Sequence, residues 1–207
     1  LIIKDNGTDT ATIEFETGIR IGTQSTTGAT NSTDIAIGKS ANATGGSSTA
    51  LGQGAQATAA DTIAIGTTSS TSGARGIAIG FQAASSAYQY TIAIGSNSVT
   101  GGTNSISIGR GAGNAGSTGT NNIGIGYNVL NALTTGTDNT SIGDRALQGV
   151  TTGFQNVGIG QVAGTNITTG TYNTCLGRSA GSTLTTGDRN TIVGVNSRTA
   201  YVHGFDG

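Results

Sequence analysis

The chain has 207 residues, of which 37 are Gly and none is Pro, Trp or Met, and only 34% are apolar. Nine basic and ten acidic residues leave a net charge of −1, which lacks the basic footprint of a nucleic-acid binder. A single Cys excludes an intrachain disulfide framework, and no run approaches the roughly 18 apolar residues of a membrane-spanning helix.

Residues 1–20 stand apart. Leu1-Ile2-Ile3-Lys4 and Ala11-Thr12-Ile13-Glu14-Phe15-Glu16 read as two strands around Asn6-Gly7, a hairpin turn signal. Glu14 and Glu16 share one strand face, opposite Ile13 and Phe15. With no third polar group converging on them, they read as a solvated face rather than a carboxylate site. The segment is expected to be a neck or cap, which a stacked array needs at an open end. Its first four residues are too few for a signal peptide. The chain does not begin with Met, as expected of a processed chain or a piece of a longer one.

From residue 21 a short motif keeps returning. Thr-Ile-Ala-Ile-Gly ends at Gly66 and Gly95, and variants end at Gly22, Gly38, Gly52, Gly80, Gly109, Gly126, Gly143, Gly160, Gly177 and Gly194. The spacings are 16, 14, 14, 14, 15, 14 and then 17 five times. Such a period marks a repeat architecture, and Ile held in register argues against the disorder that high Gly content could suggest. Three residues before each Gly stands a β-branched residue, from Ile19 to Thr191. Immediately before it stands a branched aliphatic, from Ile21 to Val193. The residue between them is small in every repeat except at Arg20 and Ile192. A strand explains this pattern, because side chains alternate faces with period two and β-branched residues suit a pleated surface. The two branched columns then share one face and the small column owns the other. The small face is either the narrow interior of a roll or the place where sister chains touch; the periodicity leaves both open.

Over 21–109 the repeat is short. A second small column follows each Gly by three residues: Ser25, Ala41, Ala55, Ser69, Ala83, Ser98, Ala112. Each coil is expected to hold two short strands and two tight turns, with one extra residue near Tyr88-Gln89-Tyr90. Over 110–198 each coil is three residues longer. Asn122, Asn139, Asn156, Asn173 and Asn190 form a column suited to a coil-to-coil hydrogen-bond ladder. Leu133, Val150, Ile167, Leu184 and Tyr201 form a second apolar column. Thr-Thr-Gly at 134–136, 151–153, 168–170 and 185–187 reads as a turn whose Gly takes a positive φ. Residues 199–207 read as a cap or the start of a further domain.

The expected fold is an all-β parallel β-roll or β-solenoid of about twelve coils, first of 14 residues and then of 17. The few aliphatics of each coil return less than ordering the coil costs. Burial against other chains is therefore expected, and closure by three is the simplest way to cover one flat face per chain. The short repeats resemble the head repeats of trimeric autotransporter adhesins (YadA-like), on Ser48-Thr49-Ala50-Leu51-Gly52 with Ala55 and Ala57 following. The long repeats are similar to those of bacteriophage tail fibres, on Asn139-Thr140-Ser141-Ile142-Gly143-Asp144-Arg145-Ala146-Leu147 with Thr-Thr-Gly after it. The resemblance covers about residues 20–198. It implies a left-handed homotrimeric β-roll used in adhesion, with a phage fibre in the virion favoured over a bacterial surface adhesin head.

Little else in the sequence points to chemistry. Cys175 sits in the small column as a buried thiol, and His203, the lone His, is too far along to serve it as a base. No metal cluster, cofactor loop or catalytic residue is expected. Asp138 and Asp144 share one coil and could meet across a subunit boundary, which keeps a polysaccharide-cleaving tailspike as a third reading. Tyr88, Tyr90, Tyr127, Phe154 and Tyr172 lie at turns or just after the coil Gly. They are the candidate receptor contacts, and gap-filling at corners is their other reading. The expected partners are two further copies of the chain, other fibre or baseplate proteins, and a host glycan or outer-membrane component.

Overall fold

The computed structural model describes residues 31–114 and 116–198, together with the backbone of Lys4–Asp5, Ala11–Thr12, Ile19–Ile21 and Gly28–Ala29. No helix occurs among them. A twelve-stranded parallel sheet runs in sequence order from Ile19–Ile21 to Thr191–Val193. Each strand is one motif, and register never slips: Ala78 lies opposite Ala64 and Ala93, and Ile79 opposite Ile65 and Ile94. Twelve strands make eleven turns of parallel β-solenoid, about 53 Å of rod at about 4.8 Å per turn.

A second parallel sheet, of six two-residue strands, runs from Gly28–Ala29 to Val99–Thr100 and stops where the coils lengthen. Near the N-terminus Lys4–Asp5 pairs antiparallel with Ala11–Thr12, which leaves residues 6–10 between them. Asn6, Gly7, Glu14, Glu16, Ser25, Tyr201 and His203 lie outside the described residues.

The two faces of the motif are now distinct. The small column points into the coil: Ala50, Ala64, Ala78, Ala93, Ser141 and Cys175 are fully buried. The second small column, Ala55 and Ala83 among it, meets it from across the interior. The branched columns point outward, with Ile142 and Leu176 37% and 43% exposed. The interior of a short coil is thus too narrow for more than methyl and hydroxyl groups. The longer coils make room for Leu130, Leu133, Leu147, Val150 and Ile167, which join Cys175 and Ile192 in one core.

Volumes in that core are matched between neighbouring coils. A Cβ on Gly158 would stand 2.6 Å from Leu147 Cγ, and one on Gly164 2.7 Å from Leu147 Cδ2. One Leu therefore fills the space left by two glycines of the next coil. Higher up, Cys175 Sγ would lie 2.4 Å from a Cβ on Gly181, so the thiol is the filler there. Burial pushes that thiol up to about 11.

The Thr-Thr-Gly glycines correct an expectation. Gly136, Gly153 and Gly170 are absent from the positive-φ region. They are small because their Cβ would stand 2.2–2.5 Å from the carbonyl of the equivalent glycine one coil on. The motif glycines have both reasons at once: Gly160 has φ 128° and a Cβ would lie 2.6 Å from Gly177 O.

A buried column stands four residues before each motif Gly, polar in every described coil but that of Gly76, and it is longer than the run of Asn legible in the sequence. It starts at Asp34, passes through Ser48, Thr62, Thr91 and Ser105, and continues as Asn122 to Asn190. From Asn122 to Asn173 each Asn Oδ1 accepts from the backbone N and the Nδ2 of the next, as Asn139 Oδ1 does from Asn156 at 3.0 and 3.1 Å. Asn156 Nδ2 also donates to Gly170 O at 2.8 Å, which ties the Asn column to the Thr-Thr-Gly turns. At the other end the Asp34 carboxylate accepts from Ser48 N and Oγ and from Asn31 N and Nδ2. Burial raises its pKa, but these hydrogen bonds together outweigh burial and hold it below the ordinary carboxylate value.

Asn156→Ala removes one side chain and strands buried partners on both neighbouring coils. It is expected to lower stability by about 3 kcal/mol or more, against about 1 kcal/mol or less for the exposed Asn166→Ala; urea unfolding measures both. The Cys175 thiol is expected to stay unreactive toward a disulfide reagent at pH 8 in the folded protein and to react fully in denaturant.

Candidate interaction surface

Two further columns extend the outward face of the long sheet. We call the residue five before each motif Gly the entry column, running from Ser47 to Arg189, and the residue just after each Gly the exit column. Around one strand, Tyr90 is exposed and Ile92, Ile94 and Ser96 are partly exposed, while Thr91 and Ala93 are buried. The aliphatic face is therefore four columns wide, with branched side chains in the middle and polar, charged or aromatic ones at both flanks.

Register decides the contacts along each flank, because neighbours are always the same position one coil away. In the entry column Asp61 Oδ2 lies 3.7 Å from Arg75 Nε. The Arg75 guanidinium sits 5.3 Å from the Tyr90 ring centroid and donates to its hydroxyl at 3.1 Å. Asn104 Nδ2 donates to Asn121 Oδ1, and Asn121 Nδ2 to Asp138 Oδ1. Farther on, Tyr172 has the Arg189 guanidinium at 5.6 Å on one side and Phe154 edge-on at 5.2 Å on the other. In the exit column the Arg110 guanidinium lies 4.4 Å from the Tyr127 centroid.

Of the five aromatics singled out in the sequence, Tyr90, Tyr127 and Tyr172 thus occupy the flanks of the aliphatic face. Phe154 stands one residue before the entry column, exposed, and Tyr88 two residues before it, half-buried. The structure brings Phe154 and Tyr172 together and keeps the others apart. It adds Phe81, 52% exposed in the exit column. The sequence carried that signal, since Phe81 follows Gly80 as Tyr127 follows Gly126.

The acidic pair is separated. Asp138 is in the entry column and Asp144 in the exit column, with Thr140–Ile142 between them. The stretch from Asn139 to Gly143 alone spans about 13 Å, beyond the reach of a glycosidase pair within one chain. Hydrogen bonds from Gln161 and from Arg145, with the Arg145 charge, hold Asp144 below the ordinary carboxylate value. A general acid needs the opposite shift. Asp188 is held low in the same way, by the hydroxyl and backbone N–H of Thr171. Among the described residues no group of three His, Cys, Asp or Glu is placed to hold a metal ion.

Residues 34–55, 57–83 and 89–112 match the family model described as YadA head domain repeat (2 copies). No curated protein matches the chain. The short coils are therefore YadA-head-like repeats, and the match lies where the second sheet and the alanine-lined interior run together.

Proposed function

We propose that the chain is a non-enzymatic, homotrimeric fibre segment that serves attachment at a cell surface. The observation that carries this reading is the aliphatic face. Two branched columns follow the stack from end to end, and Leu51, Ile63, Ile125, Ile142, Leu176 and Val193 stay 37–56% exposed in the single chain. Such a patch is larger than the few hundred Å² that soluble monomers leave open. Three copies turned inward around an axis parallel to the stack hide it. The resulting rod repeats any weak site three times at one height, so avidity replaces single-site affinity. Phe154 and Tyr88 lie outside the four columns of that face and are the aromatics left for contact with a target.

The long repeats, similar to those of bacteriophage tail fibres, favour a virion fibre. Its partners are other fibre or baseplate proteins, and its target is a host glycan or outer-membrane component. The match of the short coils to YadA head repeats favours a second reading, the head of a bacterial surface adhesin. An antibody to the chain that decorates phage tails supports the first, and one that decorates bacterial envelopes the second.

Sedimentation equilibrium is expected to give three times the 20.2 kDa chain mass, and a monomer at micromolar concentration overturns the trimer. Ile142→Asp with Ile159→Asp is expected to dissociate the assembly. Incubation with capsule or lipopolysaccharide is expected to leave glycan length unchanged, and shortened glycan overturns the non-enzymatic reading.

A further inference from the structure

We infer that the entry and exit columns are the seams between copies of the chain, closed at equal heights by aromatic–guanidinium and amide pairs. This rests on the trimeric reading above and assigns the flanking aromatics to assembly instead of receptor binding.

Tyr90, Tyr127, Tyr172 and Phe81 are exposed at the two ends of the branched columns, so whatever covers those columns also reaches the flanks. The face measures about 20 Å by about 53 Å from extended-chain and strand spacings. That is on the order of 1,000 Å², comparable with the roughly 800 Å² per partner of a stable interface.

Rotation about an axis parallel to the stack preserves height, and it sends the strands of every copy around the axis in the same sense. The exit flank of one copy therefore meets the entry flank of the next at the same coil. Arg75 then faces Phe81 of the partner subunit, Tyr172 faces Arg178 of the partner subunit, and Gln155 faces Gln161 of the partner subunit. Guanidinium over a ring and amide against amide are both favourable pairings. Asp138 and the partner's Asp144 are the one same-height pair with two charges of like sign. Asn121 donates to Asp138, and the Arg145 guanidinium lies 3.1 Å from Asp144.

Phe81 is 52% exposed and has no ring or cation partner among the described residues. Arg178 is exposed, and its guanidinium takes part in no hydrogen bond, ion pair or ring contact among them. The Tyr172 ring, 46% exposed, has Arg189 of its own column on one side and Phe154 of the neighbouring coil edge-on, and its exposed remainder is open to a partner.

Cross-linking in a Cys175→Ser background tests the seam. Tyr172→Cys with Arg178→Cys places two thiols on opposite flanks, too far apart to bridge within one chain. Mild oxidation is expected to give a covalent trimer on a non-reducing gel, and each single variant is expected to give none. Arg75→Cys with Phe81→Cys, in a different part of the stack, is expected to behave alike, so one misfolded variant does not decide the outcome. Asp138→Cys with Arg178→Cys, offset by two coils, is expected to cross-link at least tenfold less. If the chain sediments as a trimer but neither same-height pair cross-links, or the offset pair does so equally, the seam is overturned and the trimer stands. If the parent chain sediments as a monomer, both are overturned.

Discussion

Within the solenoid a residue has the same position of the next coil about one strand spacing away, and the rest of the structure answers to that. Parallel pairing without slippage, as between Ala64, Ala78 and Ala93, turns the sequence period into columns. Every column must then be compatible with itself at about 4.8 Å. Branched aliphatics stack on themselves freely. A motif glycine tolerates the carbonyl of the next one, where a Cβ would not fit. A buried polar column needs a side chain that donates upward and accepts downward, and the Asn amide does both. A carboxylate cannot, because a second one above it would repel the first. Asp34 accordingly stands alone at the start of its column, with hydroxyl, amide and backbone donors around it.

The same constraint explains the change of coil length. In the short coils two facing sheets hold an interior wide enough only for Ala, Ser and Thr. Such a core buries little apolar area per residue, and hydroxyl contacts make up part of its cohesion. Three more residues per coil replace the second sheet by turns and admit Leu133, Val150 and Ile167. The wider interior must still be filled without voids. Leu147 reaching over Gly158 and Gly164, and Cys175 against Gly181, show it filled by trading volume between successive coils. Cys175 is thus explained by size alone.

Much of the fold was legible because a repeat states its columns directly. Period two says which side chains share a face. It does not say which face is inside, since Ile-Ala-Ile reads the same whether Ala lines a narrow interior or a close subunit contact. That choice depended on the second strand, where Ala55 and Ala83 come from across the coil to meet the small column. The polar column was half legible: five Asn residues announce themselves, whereas Asp34, Ser48, Thr62 and Thr91 change chemistry from coil to coil and conceal their shared place. The Thr-Thr-Gly turns misled because Gly suggests a positive φ, while here close approach between coils demands it. The flanks were harder still. Nothing in a single coil says that the bend and turn residues two positions beyond each end of a three-residue strand, such as Tyr90 and Ser96, flank the face of Ile92 and Ile94.

That face also creates a hazard. A long, flat, in-register row of branched side chains resembles the stacking that drives unlimited β-aggregation. Only 9% of the residues are charged, so general repulsion between copies is weak. Charges at the margins do more than their number suggests. Asp61, Arg75, Asp138 and Arg189 in the entry column, with Lys39, Arg110, Asp144 and Arg178 in the exit column, give each coil that carries them its own charge pattern at the flanks. A copy that docks at the wrong height or in the opposite sense must bury some of these without a partner, at a penalty that rises with desolvation. The aliphatic columns, uniform from coil to coil, cannot distinguish one height from the next. The flanks can, and a closed assembly of defined register depends on that difference.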